Sequence, residues 1–233
     1  MMWPPLFDPY YVDESVVLYH GDCERLMPML PSDAVVVTDP PYNIGYRYQN
    51  HNDRRQEADY SRLLAGALRA PSVVLHYPEQ MFSVARAVGQ DPTECVAWVY
   101  NTNLPKRWRM WAWFGVEPDW SLLPGEFITS ASDKRIAALM DAGHKPRHAD
   151  WWFQAPCKNV SAEKVAHPAQ LPESLMDKVL TITPSTLIID PFCGSGTTLA
   201  AAKKRGMRAI GIDLSTEYLD LAVARLRQEV LAL

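Results

Sequence analysis

The stretch from Thr186 to Val230 restricts the fold of this 233-residue chain more than any other. Thr186-Leu187-Ile188-Ile189-Asp190 is a short apolar run of the kind that forms a buried parallel strand. Gly194 and Gly196 punctuate a turn, and Thr197 to Arg205 carries a helical pattern. A second apolar strand runs from Arg208 to Asp213, and Ser215 is an N-cap for a long helix whose apolar face is Leu219, Ala222, Val223 and Leu226. A helix-length crossover between two apolar strands makes them parallel neighbours, with helices covering the sheet. The earlier chain repeats the alternation. Strands are expected over Ser15–His20, Ala34–Val37, Ser72–Tyr77 and Glu94–Asn101, with helices over Cys23–Met29, Glu57–Leu68, Glu79–Val88 and Pro172–Ile182. The expected architecture is a doubly wound α/β domain.

Chemistry is expected at two strand ends, because open α/β sheets bind ligands outside the carboxyl ends of their strands. The first is Asp39-Pro40-Pro41-Tyr42, after Ala34-Val35-Val36-Val37. The prolines fix φ and lack N–H donors, so this ledge offers carbonyl and carboxylate acceptors beside an aromatic face. Such a set suits a planar base carrying an exocyclic amino group. The second is Asp190-Pro191-Phe192-Cys193-Gly194-Ser195-Gly196-Thr197-Thr198, where a glycine turn leads from strand to helix. About 20 residues on, Asp213 ends the next strand at the position from which an acid accepts from ribose hydroxyls. The pattern implies a nucleoside-containing cofactor. It is not a phosphate loop, since the G-K-[ST] ending is missing and Asp190 opens the turn; Asp190 suits a cationic amino group instead.

Composition narrows the classes. No apolar run approaches the roughly 20 residues that cross a bilayer, so no membrane partner is expected. Met1 to Asp13 lacks the basic and apolar regions of a secretory signal. Cys23, Cys95, Cys157 and Cys193 are far apart and show no metal-ligand spacing, so a reduced cytoplasmic protein without a bound metal is expected. The net charge of −4 argues against a broadly basic surface, so any nucleic-acid contact must come from a local patch. From Asn101 to Lys164 the alternation fades, and Trp108, Trp111, Trp113, Trp120, Trp151 and Trp152 are interleaved with nine basic residues against seven acids. This segment either contacts nucleic acid, through Lys106, Arg107, Arg109, Lys145, Arg147 and Lys158, or packs as a small subdomain with a solvated face. Asn43 to Asp53 reads as a mobile loop over the mouth of the sheet.

The two strand-end motifs resemble the catalytic and cofactor motifs of amino-methylating DNA methyltransferases, which use S-adenosylmethionine. The D-P-P-Y unit precedes the D-P-F-C-G-S-G-T-T unit, with a Trp/basic segment between, which is the permuted order of the β class. His167-Pro168-Ala169-Gln170-Leu171-Pro172-Glu173-Ser174-Leu175 is similar to the family stretch that leads into the cofactor half. The resemblance spans Ser15 to Leu226. It implies a Rossmann-like, mostly parallel sheet with a circularly permuted motif order and an inserted recognition segment. Residues 1–100 would be the catalytic half, 101–164 the recognition segment and 165–233 the cofactor half.

The resemblance further implies that Asp190, Phe192, Gly194, Ser195, Gly196 and Thr197 line the methionine end of S-adenosylmethionine. Asp213 would hold the ribose, Asp22 and Cys23 the adenine, and His167 and Gln170 an outer wall; Asp39 would border both cofactor and target. Leu171 and Ala169 depart from the family, which often has lysine and a hydroxyl there. Asp39, Pro40, Pro41 and Tyr42 would form the catalytic ledge for a base flipped from double-stranded DNA. Asp in the first position is commoner for adenine N6 and Ser for cytosine N4, so adenine is expected and cytosine is the alternative. A homodimer is expected, as in β-class relatives. Two rivals are a catalytically weak DNA-binding protein and an RNA or protein-glutamine methyltransferase. Motif order and Asp39 count against the latter, and the intact chemical residues against the former.

Overall fold

The computed structural model describes residues 8–46, 53–102, 105–123, 133–142, 148–157 and 170–228. In chain order they form β1 (Tyr11–Val12), β2 (Val16–His20), α1 (Cys23–Leu26), β3 (Val35–Thr38), α2 (Glu57–Ala67), β4 (Ser72–His76) and α3 (Met81–Val88). There follow β5 (Glu94–Val99), β6 (Trp108–Phe114), α4 (Lys134–Asp141), β7 (Trp151–Phe153), α5 (Glu173–Ile182), β8 (Leu187–Asp190), α6 (Thr197–Lys204), β9 (Arg208–Asp213) and α7 (Thr216–Gln228). The nine strands form one sheet in the order β1-β2-β9-β8-β3-β4-β6-β5-β7. From β2 through β4 all neighbours are parallel. β6 runs antiparallel to both β4 and β5.

Strand periodicity of two divides the core. Val16 and Leu18 face one side with residues of α5, α6 and α7, while Val17 and Tyr19 face the other with residues of α1, α2 and α3. Both faces are therefore buried, which accounts for the continuous apolar runs in the parallel strands. From β8 the chain crosses to β9 in one direction along the sheet, and from β3 to β4 in the opposite direction. The crevice between β8 and β3 is therefore a topological switch point, with Asp190 at the end of one strand and Asp39 just past the other.

Two positions require glycine, one in a turn and one inside β9. Gly196 precedes α6 at φ +78°, and a Cβ there would lie 2.9 Å from the Ala222 Cβ of α7. At Gly211 a Cβ would lie 2.8 Å from Leu18 Cδ2 and 3.0 Å from Cys193 Sγ, so a side chain there would clash in the core. Ser215 caps α7 as expected, its Oγ accepting from the Tyr218 N–H at 3.3 Å.

The expected recognition segment, 101–164, is not separate from the sheet. Residues 108–114 form β6 between β4 and β5, and β7 pairs with β5. Trp111 and Trp113 face one side of the sheet and Ala112 and Phe114 the other, all fully buried. Trp113 donates through Nε1 to Thr183 Oγ1 at 3.1 Å and meets Trp152 edge-on. Aromatic and basic composition hid an ordinary period-two strand. Asn43 and Asp53 tie the described ends of their loop: the Tyr46 N–H donates to Asp53 Oδ1 at 2.6 Å, and the Arg55 N–H to Asn43 Oδ1 at 2.6 Å.

Candidate active site

The glycine turn is built around two carboxylates. Asp190, buried at the end of β8, accepts through Oδ1 from the Thr38 hydroxyl at 2.7 Å and the Phe192 N–H at 3.1 Å. Burial pushes its carboxyl up to about 6, and the nearby charge of Asp39 adds to the rise. Asp213 accepts from the Gly194 N–H at 2.9 Å and the Ser215 N–H at 2.8 Å, joining the turn to the start of α7. Arg225 of α7, itself buried, donates to Thr197 Oγ1 at 2.7 Å and braces the first turn of α6.

The ledge lies across the crevice. Tyr42 donates its hydroxyl to Asp39 Oδ1, and Arg109 Nη1 stands 4.0 Å from Asp39 Oδ2. The guanidinium sits in an aromatic box, 4.9 Å from the Tyr42 ring centre, 5.4 Å from Trp98, 5.5 Å from Tyr77 and 5.9 Å from Tyr100. Burial pushes the Asp39 carboxyl up to about 6, while Arg109 and the Tyr42 hydrogen bond pull it back. Burial lowers the Arg109 pKa less than Tyr42 and Asp39 raise it, so the guanidinium stays charged.

Turn and ledge open on one cavity of about 360 Å³. Asp22 and Cys23 line it; Asp22 also caps α1, accepting from the Glu24 N–H at 2.9 Å. Asp39, Pro40, Pro41, Tyr42, Gln170, Asp190, Phe192, Gly194, Ser195, Thr197 and Asp213 line it as well. Gly196 does not; its place is the turn against α7. Leu171, where the family often has lysine, is a buried apolar part of the wall. The Cys23 thiol is pushed up to about 12 by burial, and that of Cys193 well above its ordinary value, so neither is a nucleophile near neutrality.

The expected DNA contacts divide. Lys106 and Arg107 are exposed at the start of β6, on the edge of the sheet that carries the ledge, and Lys106 pairs with Glu79 while lying 4.1 Å over the Tyr77 ring. Arg109 is placed differently from Lys106 and Arg107. It lines the cavity and lies on the inward face of β6, the face of Trp111 and Trp113, rather than on a phosphate-facing surface. Lys145, Arg147, Lys158 and His167 lie outside the described residues. Sequence reasoning missed Thr38, Tyr60, His76, Tyr77, Trp98 and Tyr100. Arg109 was findable from the alternation of Trp108 to Phe114; Tyr60 and His76 carried no signal of their partnership.

A donor cofactor with a sulfonium and an α-ammonium group fits this cavity on its own charges. Six carboxylates line it against two guanidinium groups, and Asp190 has no cation hydrogen-bonded to it among the described residues.

Fold and site together define a doubly wound α/β protein in which a glycine turn and an acidic ledge face one crevice at the switch point of the sheet. A family model described as DNA methylase, N6_N4_Mtase, matches residues 73–224. The chain is 30% identical to the type II methyltransferase M.ScaI of Streptomyces caespitosus, over 97% of this chain and 86% of that protein. Among solved structures, the cytosine-N4-specific PvuII DNA methyltransferase shares the fold at a TM-score of 0.66 and 17% identity, over 93% of this chain and 88% of that one. The M1.HpyAVI–SAM complex shares it at 0.55 and 19% identity, over 91% of this chain and 98% of that one. The chain belongs to the N6/N4 DNA methylase family. Among the described residues no helix is long and apolar enough to cross a membrane, and no cluster of His, Cys, Asp or Glu could hold a metal ion.

Proposed function

We propose that this DNA methyltransferase modifies the N6 amino group of adenine in double-stranded DNA. The observation that carries the reading is the meeting of Asp39 and Asp190, first residues of two motifs 151 positions apart, in one acidic cavity. S-adenosylmethionine is the methyl donor, and when bound it supplies an electrophilic methyl on a sulfonium sulfur. Asp190 accepts the donor's ammonium group, Asp213 faces its ribose, and Asp22 with the Cys23 backbone faces its adenine. Phe192, Gly194, Ser195 and Thr197 complete the wall.

Asp39 and the Pro40 carbonyl accept the two hydrogens of the target amine. This draws the nitrogen toward tetrahedral geometry and localises its lone pair, so the residues act through orientation and electrostatics. The surplus proton leaves through Asp39 to water. Tyr42 stacks on the flipped base, and its hydroxyl gives up Asp39 Oδ1 as the amine takes its place. Adenine rather than cytosine rests on Asp39 as the first ledge residue.

Lys106 and Arg107 contact phosphates near the mouth, and the part of 101–164 outside the sheet reads the target sequence. With so short a recognition segment, the reading includes a homodimer working on cytoplasmic DNA. Labelled S-adenosylmethionine and unmethylated genomic DNA, followed by nucleoside mass spectrometry, test it. N6-methyladenine is the expected product; N4-methylcytosine would keep the mechanism and overturn the choice of base.

A further inference from the structure

The ledge has an unusual mechanical problem. Pro40 and Pro41 have no N–H, so at these two residues the carbonyls are the only backbone groups that can be held by a hydrogen bond. One of them is held from beneath. The Tyr60 hydroxyl, on α2, donates to the Pro41 carbonyl at 2.9 Å. The same oxygen lies 2.7 Å from His76 Nε2, at the end of β4. The Tyr77 N–H donates to His76 Nδ1 at 2.8 Å. Nδ1 therefore carries no proton, Nε2 carries it, and Tyr60 must accept from Nε2 in order to donate to Pro41. The direction of all three bonds is fixed. His76 is fully buried and Tyr60 is 1% exposed, so water does not compete.

We propose that Tyr60 and His76 are positioning residues for methyl transfer, setting the Pro41 carbonyl and through it the peptide that presents the Pro40 carbonyl to the target amine. Neither touches the cavity in this role; they act through the ledge. The inference rests on the reading of Asp39-Pro40-Pro41-Tyr42 as the amine acceptor. Burial, with Arg109 adding to it, pushes His76 down to about 4, so the imidazole stays neutral and the chain of bonds keeps its direction at working pH.

Tyr60→Phe removes one hydroxyl and keeps the ring. In single-turnover assays with labelled S-adenosylmethionine and unmethylated genomic DNA, the rate is expected to fall about tenfold to a hundredfold, as displaced catalytic groups do. The dissociation constant for S-adenosylmethionine stays unchanged. Because Tyr60→Phe strands a buried imidazole N–H, the double variant Tyr60→Phe/His76→Leu is measured beside it. The double variant removes the stranded imidazole N–H but leaves the Tyr77 N–H without its acceptor, so its melting temperature is expected to stay near that of Tyr60→Phe and its rate to stay low. Recovery of both together, or a wild-type rate in Tyr60→Phe, overturns the proposal. Asp39→Ala separates the two levels: an active Asp39→Ala removes the ledge reading itself, whereas a dead Asp39→Ala with a normal Tyr60→Phe removes only the positioning role.

Discussion

Replacing Arg109 by Met should move the acid limb of the pH–rate profile upward. The acceptor role requires ionised Asp39, whose carboxyl titrates at about 6 in the intact site. Activity therefore falls as pH drops through that value. The guanidinium stands 4.0 Å from Asp39 Oδ2, with both side chains about one-fifth exposed. A pair at that separation interacts by about 4 kcal/mol at an effective dielectric near 20, which corresponds to roughly 3 pKa units. Water entering the space left by the guanidinium offsets part of this, so a rise of about 1–2 units is expected. At pH 7.5 Asp39 is then largely ionised in the wild type and about a quarter to three-quarters protonated in the variant.

The charged and titratable groups that interact with Asp39 are Tyr42 on the ledge, Tyr60, Tyr100, Arg109 and Asp190. Only Arg109 among them is a cation. The assay is kcat/KM for DNA from pH 5 to 9.5, with S-adenosylmethionine saturating so that Asp190 does not contribute a limb. Arg109→Lys should keep the limb near its original place. A limb still near 6 in Arg109→Met, with a loss equal at every pH, would refute the electrostatic role.

Asp190→Asn should raise the melting temperature of the cofactor-free protein at pH 8 and weaken S-adenosylmethionine binding about a hundredfold, read by calorimetry. The sign follows from linkage: the folded carboxyl at about 6 lies above the unfolded 3.8, so its stabilisation is present below pH 4 and lost as pH rises through 6. The stability gain is up to about 3 kcal/mol at pH 8 and absent at pH 4. Equal gains at both values would contradict the cause. Gly196→Ala should destabilise by at least about 1–2 kcal/mol in urea unfolding, because φ +78° and the contact with Ala222 both oppose a side chain. Tyr42→Phe should retain most activity, since it frees Asp39 Oδ1 while keeping the ring, whereas Tyr42→Ala should lose it; equal loss in both would exclude stacking.

The sequence by itself determined the parallel half of the fold and the type of chemistry. Apolar strand, Asp-led glycine turn, helix and second strand are local signals, and each is written in a few adjacent residues. Asp39 and Asp190 stood out because an acid ending an apolar strand is locally unusual. Tertiary structure decided what those signals could not carry. It placed β3 beside β8, so that two motifs from opposite ends of the chain share a crevice. It made Trp108–Phe114, legible in the sequence only as part of a Trp-rich basic segment, an interior strand, because burial on both faces depends on neighbours that arrive from β4 and β5. Arg109 shows the difference most directly. As one cation in a basic, Trp-rich segment it suggested phosphate, and only the packing of Tyr42, Tyr77, Trp98 and Tyr100 around it made it part of the site. A side chain's charge is local information; the field it meets is set by residues that folding brings from elsewhere.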